Sequence, residues 1–508
     1  MDLILACDLG GTSLKGALVT FEGRIKASQA VSFQPPAMDG RGFSELEPEV
    51  WWTEFLGLTD RLLAAPEVLP DRVAGVCLCG LTRTQVFLDR EGRSVRPAIS
   101  WADGRAQDQA RRIIALARNQ GPASQTFGPI NAFHTLARLL WLKEEEPESF
   151  GRVEKVLEPK DFLNFRLTGL AAGDNISLAR LLNVPKRAFC RELLAGLDLD
   201  PELIPPLLDP WEKLGRVGPG LPPPLDRLAG TTVFVGGMDA WCGCLGTGAL
   251  KPGRAYNVSG TSEVLGLVVE KYRESRGLVS LPWGPGLFQI GGPSQAGADC
   301  LAWILEVLQG GTSGRAVEEA LEGLGSPPRD RQPVLFLPYL RGERAPLWEP
   351  EARGALVGLD RGHGRADFLW SVMEGVAMAN RQVLESVTGG WTEAGDQVRI
   401  SGGAAESDLW CQVKADVLAR PVVRTEVREA GLLGAAMVAL RGLGRFTGLD
   451  QAQENLVRVE RVFSPNEGRA AFYDRLYPKW REAQQLLLPL TRHLTGEFGQ
   501  KPEAGQGA

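Results

Sequence analysis

Histidine is scarce in this chain: three in 508 residues, His134, His363 and His493. A zinc site of mixed cysteine and histidine ligands therefore has little to draw on. Trp241-Cys242-Gly243-Cys244 has no third cysteine and no histidine nearby, so Cys242 and Cys244 read as small packing residues. No apolar run approaches the ~20 residues that cross a bilayer. Positive charge is not in excess: the net charge is −6, which gives no overall pull toward nucleic acid or an anionic membrane. The opening MDLILACDLGG lacks a basic region and its apolar run is short, so a signal sequence is not expected. The eight cysteines are dispersed, several within apolar runs such as VAGVCLCG. That is the pattern of reduced thiols, and the cytoplasm is the expected compartment.

The chain is too long for one hydrophobic core, and its 44% apolar and 23% charged residues are ordinary for globular domains. Leu3 to Asp8 forms a continuous apolar run, as in a strand buried on both faces. It ends in Gly10-Gly11-Thr12-Ser13 and resumes at Lys15 to Val19, which predicts a hairpin with a glycine-rich tip. Glu47 to Ala65 has helical spacing with Pro48 in the first turn, and Val73 to Cys79 reads as a further strand. Thr231 to Val235 is a β-branched and aromatic run predicted to end at Gly236-Gly237. A second hairpin follows, Gly253 to Ser259 and Val264 to Val269, around Gly260-Thr261-Ser262. Its likeness to the first suggests a duplicated domain. The expected division is 1–249, 250–495 and a disordered polar tail at 496–508. In the second half, Phe368, Val372, Val376, Ala379, Val383 and Val387 mark one long amphipathic helix. Val398 to Ile400 reads as a strand that leads through Ser401-Gly402-Gly403 to a helix near Ser407.

Four constellations can carry chemistry. In Asp8-Leu9-Gly10-Gly11-Thr12-Ser13-Leu14-Lys15, a strand-end carboxylate precedes a turn rich in N–H groups, hydroxyls and an ammonium. Such a unit can hold phosphate and Mg²⁺, although the same residues suit a plain hairpin turn. Asp239, directly after TTVFVGGM, can accept the proton of an attacking hydroxyl or simply cap the following helix. Ser259-Gly260-Thr261-Ser262 repeats the phosphate-cradling pattern. Gly402 and Gly403 can let a nucleotide lie against bare backbone, with Ser407 near the helix start. Each signal also reads as ordinary turn chemistry; together they are the parts of a two-domain phosphotransferase.

These residues resemble the FGGY family of carbohydrate kinases over roughly 3–490. The resemblance includes Arg96-Pro97-Ala98-Ile99-Ser100-Trp101-Ala102-Asp103-Gly104-Arg105, Lys160-Asp161-Phe162-Leu163 with Leu167-Thr168-Gly169, and Leu337-Pro338-Tyr339-Leu340 with Gly342-Glu343-Arg344-Ala345-Pro346. It continues through Ala415-Asp416-Val417-Leu418 to Glu429-Ala430 and Gly434-Ala435-Ala436. It implies an α/β protein of two actin/hexokinase-like (ribonuclease H-like) ATPase domains, with ATP and sugar meeting in a central cleft. It implies Asp239 as general base and Asp8 with Asp239 at Mg²⁺. Gly11, Thr12, Ser13 and Lys15 would face the phosphates, and Gly260, Thr261, Gly402, Gly403 and Ser407 the nucleotide. Arg83, Trp101, Asp103, Phe133 and Asp239 would shape the sugar pocket.

Gly80-Leu81-Thr82-Arg83-Thr84-Gln85 stands where xylulose kinases usually carry Gln-Met-His-Gly, with Arg83 at the histidine. Glycerol kinases carry an arginine there too, followed by a glutamate rather than Thr84. Ala240 replaces an amide that often binds substrate in relatives. The expectation is ATP-dependent phosphorylation of a small sugar, foremost a xylulose-like ketose. The alternatives are ribulose, erythritol, glycerol or gluconate as acceptor, or a sugar-sensing pseudokinase or actin-like ATPase. The shorter ROK sugar kinases share Asp8-Leu9-Gly10-Gly11-Thr12 but usually carry the zinc motif absent here. The partners expected are the sugar or polyol and ATP, without nucleic acid or membrane, and a homodimer is the candidate assembly.

Overall fold

The computed structural model describes residues 2–498 except 35–37, 67, 122–123, 185–187, 310–319, 322, 326–331 and 389–394. Of the tail expected at 496–508, residues 496–498 continue the last helix, which reaches Phe498, and the rest lies outside the described residues. The chain forms two compact units. The first comprises Met1–Gly246, Leu281–Pro285 and Glu429–Val457; the second comprises Thr247–Ser280, Gly286–Arg428 and Arg458–Ala508. Glu429–Val457 therefore packs with the first unit although it lies far into the second half of the chain.

The first unit is built on the strands β1 (Leu3–Leu9), β2 (Ser13–Thr20), β3 (Ile25–Ser32), β4 (Val73–Gly80), β5 (Lys213–Arg216) and β6 (Thr232–Met238). They lie side by side in the order β3-β2-β1-β4-β6-β5. The β1–β4 and β4–β6 pairs are parallel and the others antiparallel. Leu3 to Cys7 of β1 are buried, as a strand covered on both faces requires. Helix α1 (Pro48–Leu63) lays Trp51, Phe55, Leu58 and Leu62 into the core on one side of this sheet. Helix α2 (Pro159–Thr168) contributes Phe162, Leu163 and Leu167.

β6 differs from expectation. It runs through Gly236-Gly237 to Met238, and helix α3 (Asp239–Gly246) begins at the next residue. Gly236 makes this possible: its φ is +75°, and a Cβ there would lie 1.8 Å from the Leu78 carbonyl oxygen.

In the second unit, β7 (Ala255–Ser259) and β8 (Glu263–Val269) form the predicted second hairpin, joined by β9 (Phe288–Ser294). Helix α4 (Ala298–Gln309) follows, then the long helix α5 (Arg365–Thr388), which buries Val372, Val376, Val383 and Val387. β10 (Val398–Ser401) leads to helix α6 (Asp408–Leu418) and β11 (Val422–Thr425). Helix α7 (Ala430–Gly442) belongs to the first unit, and the chain returns to the second with β12 (Val459–Phe463). The strands β9-β8-β7-β10-β11-β12 repeat the first unit's sequence of antiparallel, antiparallel, parallel, parallel and antiparallel pairs. That repetition of topology fits a duplication. Among the described residues no helix is long and apolar enough to cross a membrane, and the eight cysteines are all buried and outside any disulfide.

Candidate active site

The hairpin of the first unit sets Asp8 at the end of β1, across from Lys15 of β2 and beside Cys79 of β4. Its turn closes through Gly10 N–H donating to the Ser13 carbonyl at 2.9 Å, while Thr12 is exposed. Burial pushes the Asp8 carboxyl up to about 7; the charge of Asp239 adds to the rise, and Lys15 and the Cys79 thiol oppose it. Helix α7 begins against this carboxylate: a Cβ on Gly431 would meet Asp8 Oδ2 at 2.5 Å. Lys15 Nζ is not open to solvent alone but holds both oxygens of Glu429, at 2.8 and 3.0 Å.

Asp239 opens α3, where Ala240 N–H donates to its Oδ1 at 2.6 Å. Burial raises its carboxyl to about 6, against the pull of that N–H and of the Arg83 charge. Asp8, about 230 residues before Asp239 in the chain, thus senses its charge within one unit.

The other expected pocket residues gather on neighbouring loops of the same unit. The Trp101 indole lies against the Gly10-Gly11-Thr12-Ser13 turn: a Cβ on Gly11 would be 3.2 Å from Trp101 Nε1. Trp101 is 48% exposed, and its backbone N–H donates to Thr84 Oγ1 at 3.1 Å. Arg83 holds a left-handed backbone conformation, φ +62°. Arg83 and Phe133 line a cavity of about 20 Å³ with His134, Glu158, Ser177 and Arg180. Space of that size admits one water molecule. Asp103 is fully buried and accepts from Ser44 N–H at 2.6 Å and from Arg105 Nε and Nη2 at 2.9 and 2.7 Å. Those bonds make it an anchor of the loop that carries Trp101.

Sequence reasoning missed the residue that ties these loops together. Arg138 is fully buried and donates to the carbonyls of Arg83 (2.6 Å), Ile99 (2.9 Å) and Asp103 (3.2 Å), and to Ser100 and Gln85. It sits inside a run of apolar helical residues with no motif to single it out. Glu158 was missed as well. It accepts from the N–H of Thr84 at 3.1 Å and from Gln85 Nε2 at 3.3 Å, and burial pushes it up to about 8. Its signal was its place directly before Pro159-Lys160-Asp161.

In the second unit, the turn Gly260-Thr261-Ser262 gives its carbonyls to the start of α4: Ala298 N–H meets Gly260 O at 2.9 Å and Asp299 N–H meets Thr261 O at 3.4 Å. Gly402, φ +91°, packs on the end of β7, where a Cβ would be 2.4 Å from the Ser259 carbonyl oxygen. The Gly260 and Gly402 turns are therefore adjacent, with Thr261 and Gly403 exposed. Ser407 caps α6, accepting from Trp410 N–H at 3.2 Å, and Trp410 Nε1 donates to Ser259 Oγ at 3.2 Å. Beneath them Lys414 Nζ lies 2.7 and 2.8 Å from the two Glu263 oxygens, both side chains being buried. This pair neutralises the charge under the turns.

The family model described as the FGGY family of carbohydrate kinases, N-terminal domain, matches residues 3–246, and its C-terminal counterpart matches 255–443. The chain is 30% identical over 509 residues to the xylulose kinase of Escherichia coli (strain K12), covering 96% of this chain and all of that protein. It is 29% identical over 490 residues to the xylulose kinase of Bacillus subtilis (strain 168), covering 95% and 96%. The solved structure of xylulose kinase from Rhodospirillum rubrum superposes with a TM-score of 0.82 at 26% identity, covering 96% of this chain and 99% of that one. The two α/β units are of the actin/hexokinase-like ATPase type, and the chain belongs to the FGGY family of carbohydrate kinases.

Proposed function

We propose that this kinase transfers the γ-phosphoryl group of ATP to a hydroxyl of a small open-chain sugar, foremost a xylulose-like ketose, with Asp239 as general base. The observation that carries the reading is the Asp239 carboxyl itself. It is raised to about 6 by burial, faces the charge of Arg83 and lies within electrostatic reach of Asp8. A base with that value is ionised near neutral pH yet still able to take a proton. The acceptor oxygen forms a bond to the γ-phosphorus, the bond to the β–γ bridging oxygen breaks, ADP leaves, and the hydroxyl proton passes to Asp239. The xylulose-like acceptor is supported by the names of the relatives above. Trp101, Arg83 and Phe133 supply an aromatic face, a cation and a second ring to orient it.

The residues present suit Mg²⁺. Among the described residues no group of three acidic, histidine or cysteine side chains could hold a metal alone. Mg²⁺ in phosphoryl-transfer sites takes one or two carboxylates and completes its shell with phosphate oxygens and water. Asp8, with its carboxyl raised by burial and by Asp239, would be its principal protein ligand, and Asp239 the second. When bound, the ion neutralises the phosphate oxygens as charge redistributes. Gly11, Thr12 and Ser13 would face the transferred phosphate. Lys15, tied to Glu429, would contribute by orienting that turn. In this reading the first unit binds sugar and transferred phosphate. The second binds the nucleotide, with Gly260 and Thr261 at its phosphates and Gly402, Gly403 and Ser407 along the adenosine. Eight buried cysteines outside any disulfide favour a cytoplasmic setting.

The test is a coupled ADP-release assay with pentuloses, tetritols, glycerol and gluconate as acceptors. The expected result is strong stimulation by a pentulose. ADP release no higher with any sugar than with water alone would replace the kinase reading with a sugar sensor or a simple ATPase.

A further inference from the structure

Between Phe234 and Gly237, β6 carries one residue more than β4: Phe234 pairs with Cys77 and Gly237 with Cys79. This bulge takes the backbone of Val235 and Gly236 out of the ladder, so their polar groups need other partners. The Val235 N–H goes to the Glu212 carbonyl at 3.1 Å and that of Gly236 to the Pro210 carbonyl at 2.8 Å. The Val235 carbonyl receives Asn164 Nδ2 at 2.9 Å and, at a longer 3.4 Å, Lys160 Nζ. Asn164 and Lys160 stand four residues apart on α2, on one face of the helix, and both are buried.

The support is itself held. Lys160 is bracketed by Asp161 and by Asp174, whose Oδ2 is 2.9 Å away. Asp174 Oδ1 accepts from the N–H groups of Ile176 (3.0 Å) and Ser177 (2.7 Å). Asn164 Oδ1 has no hydrogen-bond partner, so the donor half of this amide is the half the fold uses. Asp239 follows Val235 by four residues. A strand that lost its bulge would slip by one residue against β4, and a slip of one turns each side chain to the opposite face.

We propose that Asn164, joined by Lys160 on the same carbonyl, is a positioning residue for phosphoryl transfer: its amide pins the bulge carbonyl of Val235 and thereby fixes the direction in which Asp239 leaves the strand. The inference rests on Asp239 being the base. A buried carbonyl stripped of its donor relaxes toward another partner, and a displacement of about 1 Å at a reacting group can cost about a hundredfold in rate.

The experiment compares Asn164→Leu, which fills the volume without a donor, and Asn164→Asp, which sets an acceptor against the Val235 oxygen. Leu163→Ala on the same helix serves as a control that removes only apolar packing. Each is measured for Tm, nucleotide affinity, kcat and KM, alone and combined with Asp239→Asn. Both Asn164 variants are expected to lower kcat about 10- to 100-fold with nucleotide affinity kept. Leu163→Ala should lose stability but keep kcat in the folded protein. In the Asp239→Asn background, Asn164→Leu should add no further loss, because the group it aims is already gone. If Asn164→Leu does not fold, the isosteric Asn164→Asp carries the same comparison. Wild-type kcat in the Asn164 variants, or fully additive losses in the double variant, would overturn the positioning role while leaving the base intact. Near-normal turnover by Asp239→Asn alone would instead overturn the base reading and, with it, this inference.

Discussion

The two units share a sheet topology, but their glycine-rich hairpins handle buried charge differently. Below the turn of the second unit, the Glu263 carboxylate is matched within the fold by Lys414, and the network extends to Asn380, Asn257, Ser259 and Trp410. At the corresponding hairpin of the first unit, Asp8 is raised to about 7 and Asp239 to about 6, each chiefly by burial. At its hairpin the second unit settles that buried charge within the fold. In the reading proposed above, the first keeps a carboxylate pair whose burial is relieved by what binds there. On that reading the scaffold has a holding half and a reacting half.

This contrast can be broken by exchanging the effects of charge removal. Asp8→Asn in the first unit should lower kcat by about a hundredfold or more, because the carboxylate proposed to hold Mg²⁺ is lost; thermal stability should be kept or raised. Steady-state kinetics beside a melting curve reads both. Lys414→Met in the second unit should do the reverse, leaving Glu263 buried and unmatched at a cost of about 3–5 kcal/mol. Denaturant unfolding measures that loss, and kcat of the folded fraction should change little.

A smaller effect appears in pH dependence. In the ligand-free protein the native state holds Asp8 and Asp239 protonated to about 7 and 6, whereas the unfolded chain releases these protons near the ordinary 3.8. Folded protein therefore binds more protons across that window, and these two groups lower stability as pH rises from about 4 to 7. Asp8→Asn and Asp239→Asn should each flatten that slope, which melting temperatures across the window would show. Lys414→Met should not flatten it. The smallest effect is expected at Trp101→Ala, where loss of the exposed ring raises KM for the sugar several-fold, on the order of 1 kcal/mol, with KM for ATP unchanged.

Much of this division was legible in sequence. Both hairpins announced themselves through apolar runs broken by Gly and hydroxyl residues, and Asp239 was placed at a strand-to-helix junction because the run TTVFV stops at glycine. What the run could not reveal was that the strand passes through its glycines by a bulge, since that depends on how closely Leu78 approaches Gly236. Pairings across the chain were equally hidden. Lys15 reads as a free phosphate donor until Glu429, 414 residues away, is brought onto it. Arg138 looks like one charge on an amphipathic helix until five acceptors converge on its guanidinium. Local rules describe the backbone of a turn well; the partners of a buried charge are set by packing, which no short window contains.

The central claim is that the reacting half works through Asp239. Single-turnover phosphorylation by Asp239→Asn, loaded with ATP and mixed with the preferred sugar, tests it most directly. The account predicts nucleotide bound with wild-type affinity and sugar phosphate formed about 10² to 10⁴ times more slowly. Sugar phosphate appearing at the wild-type rate would contradict it.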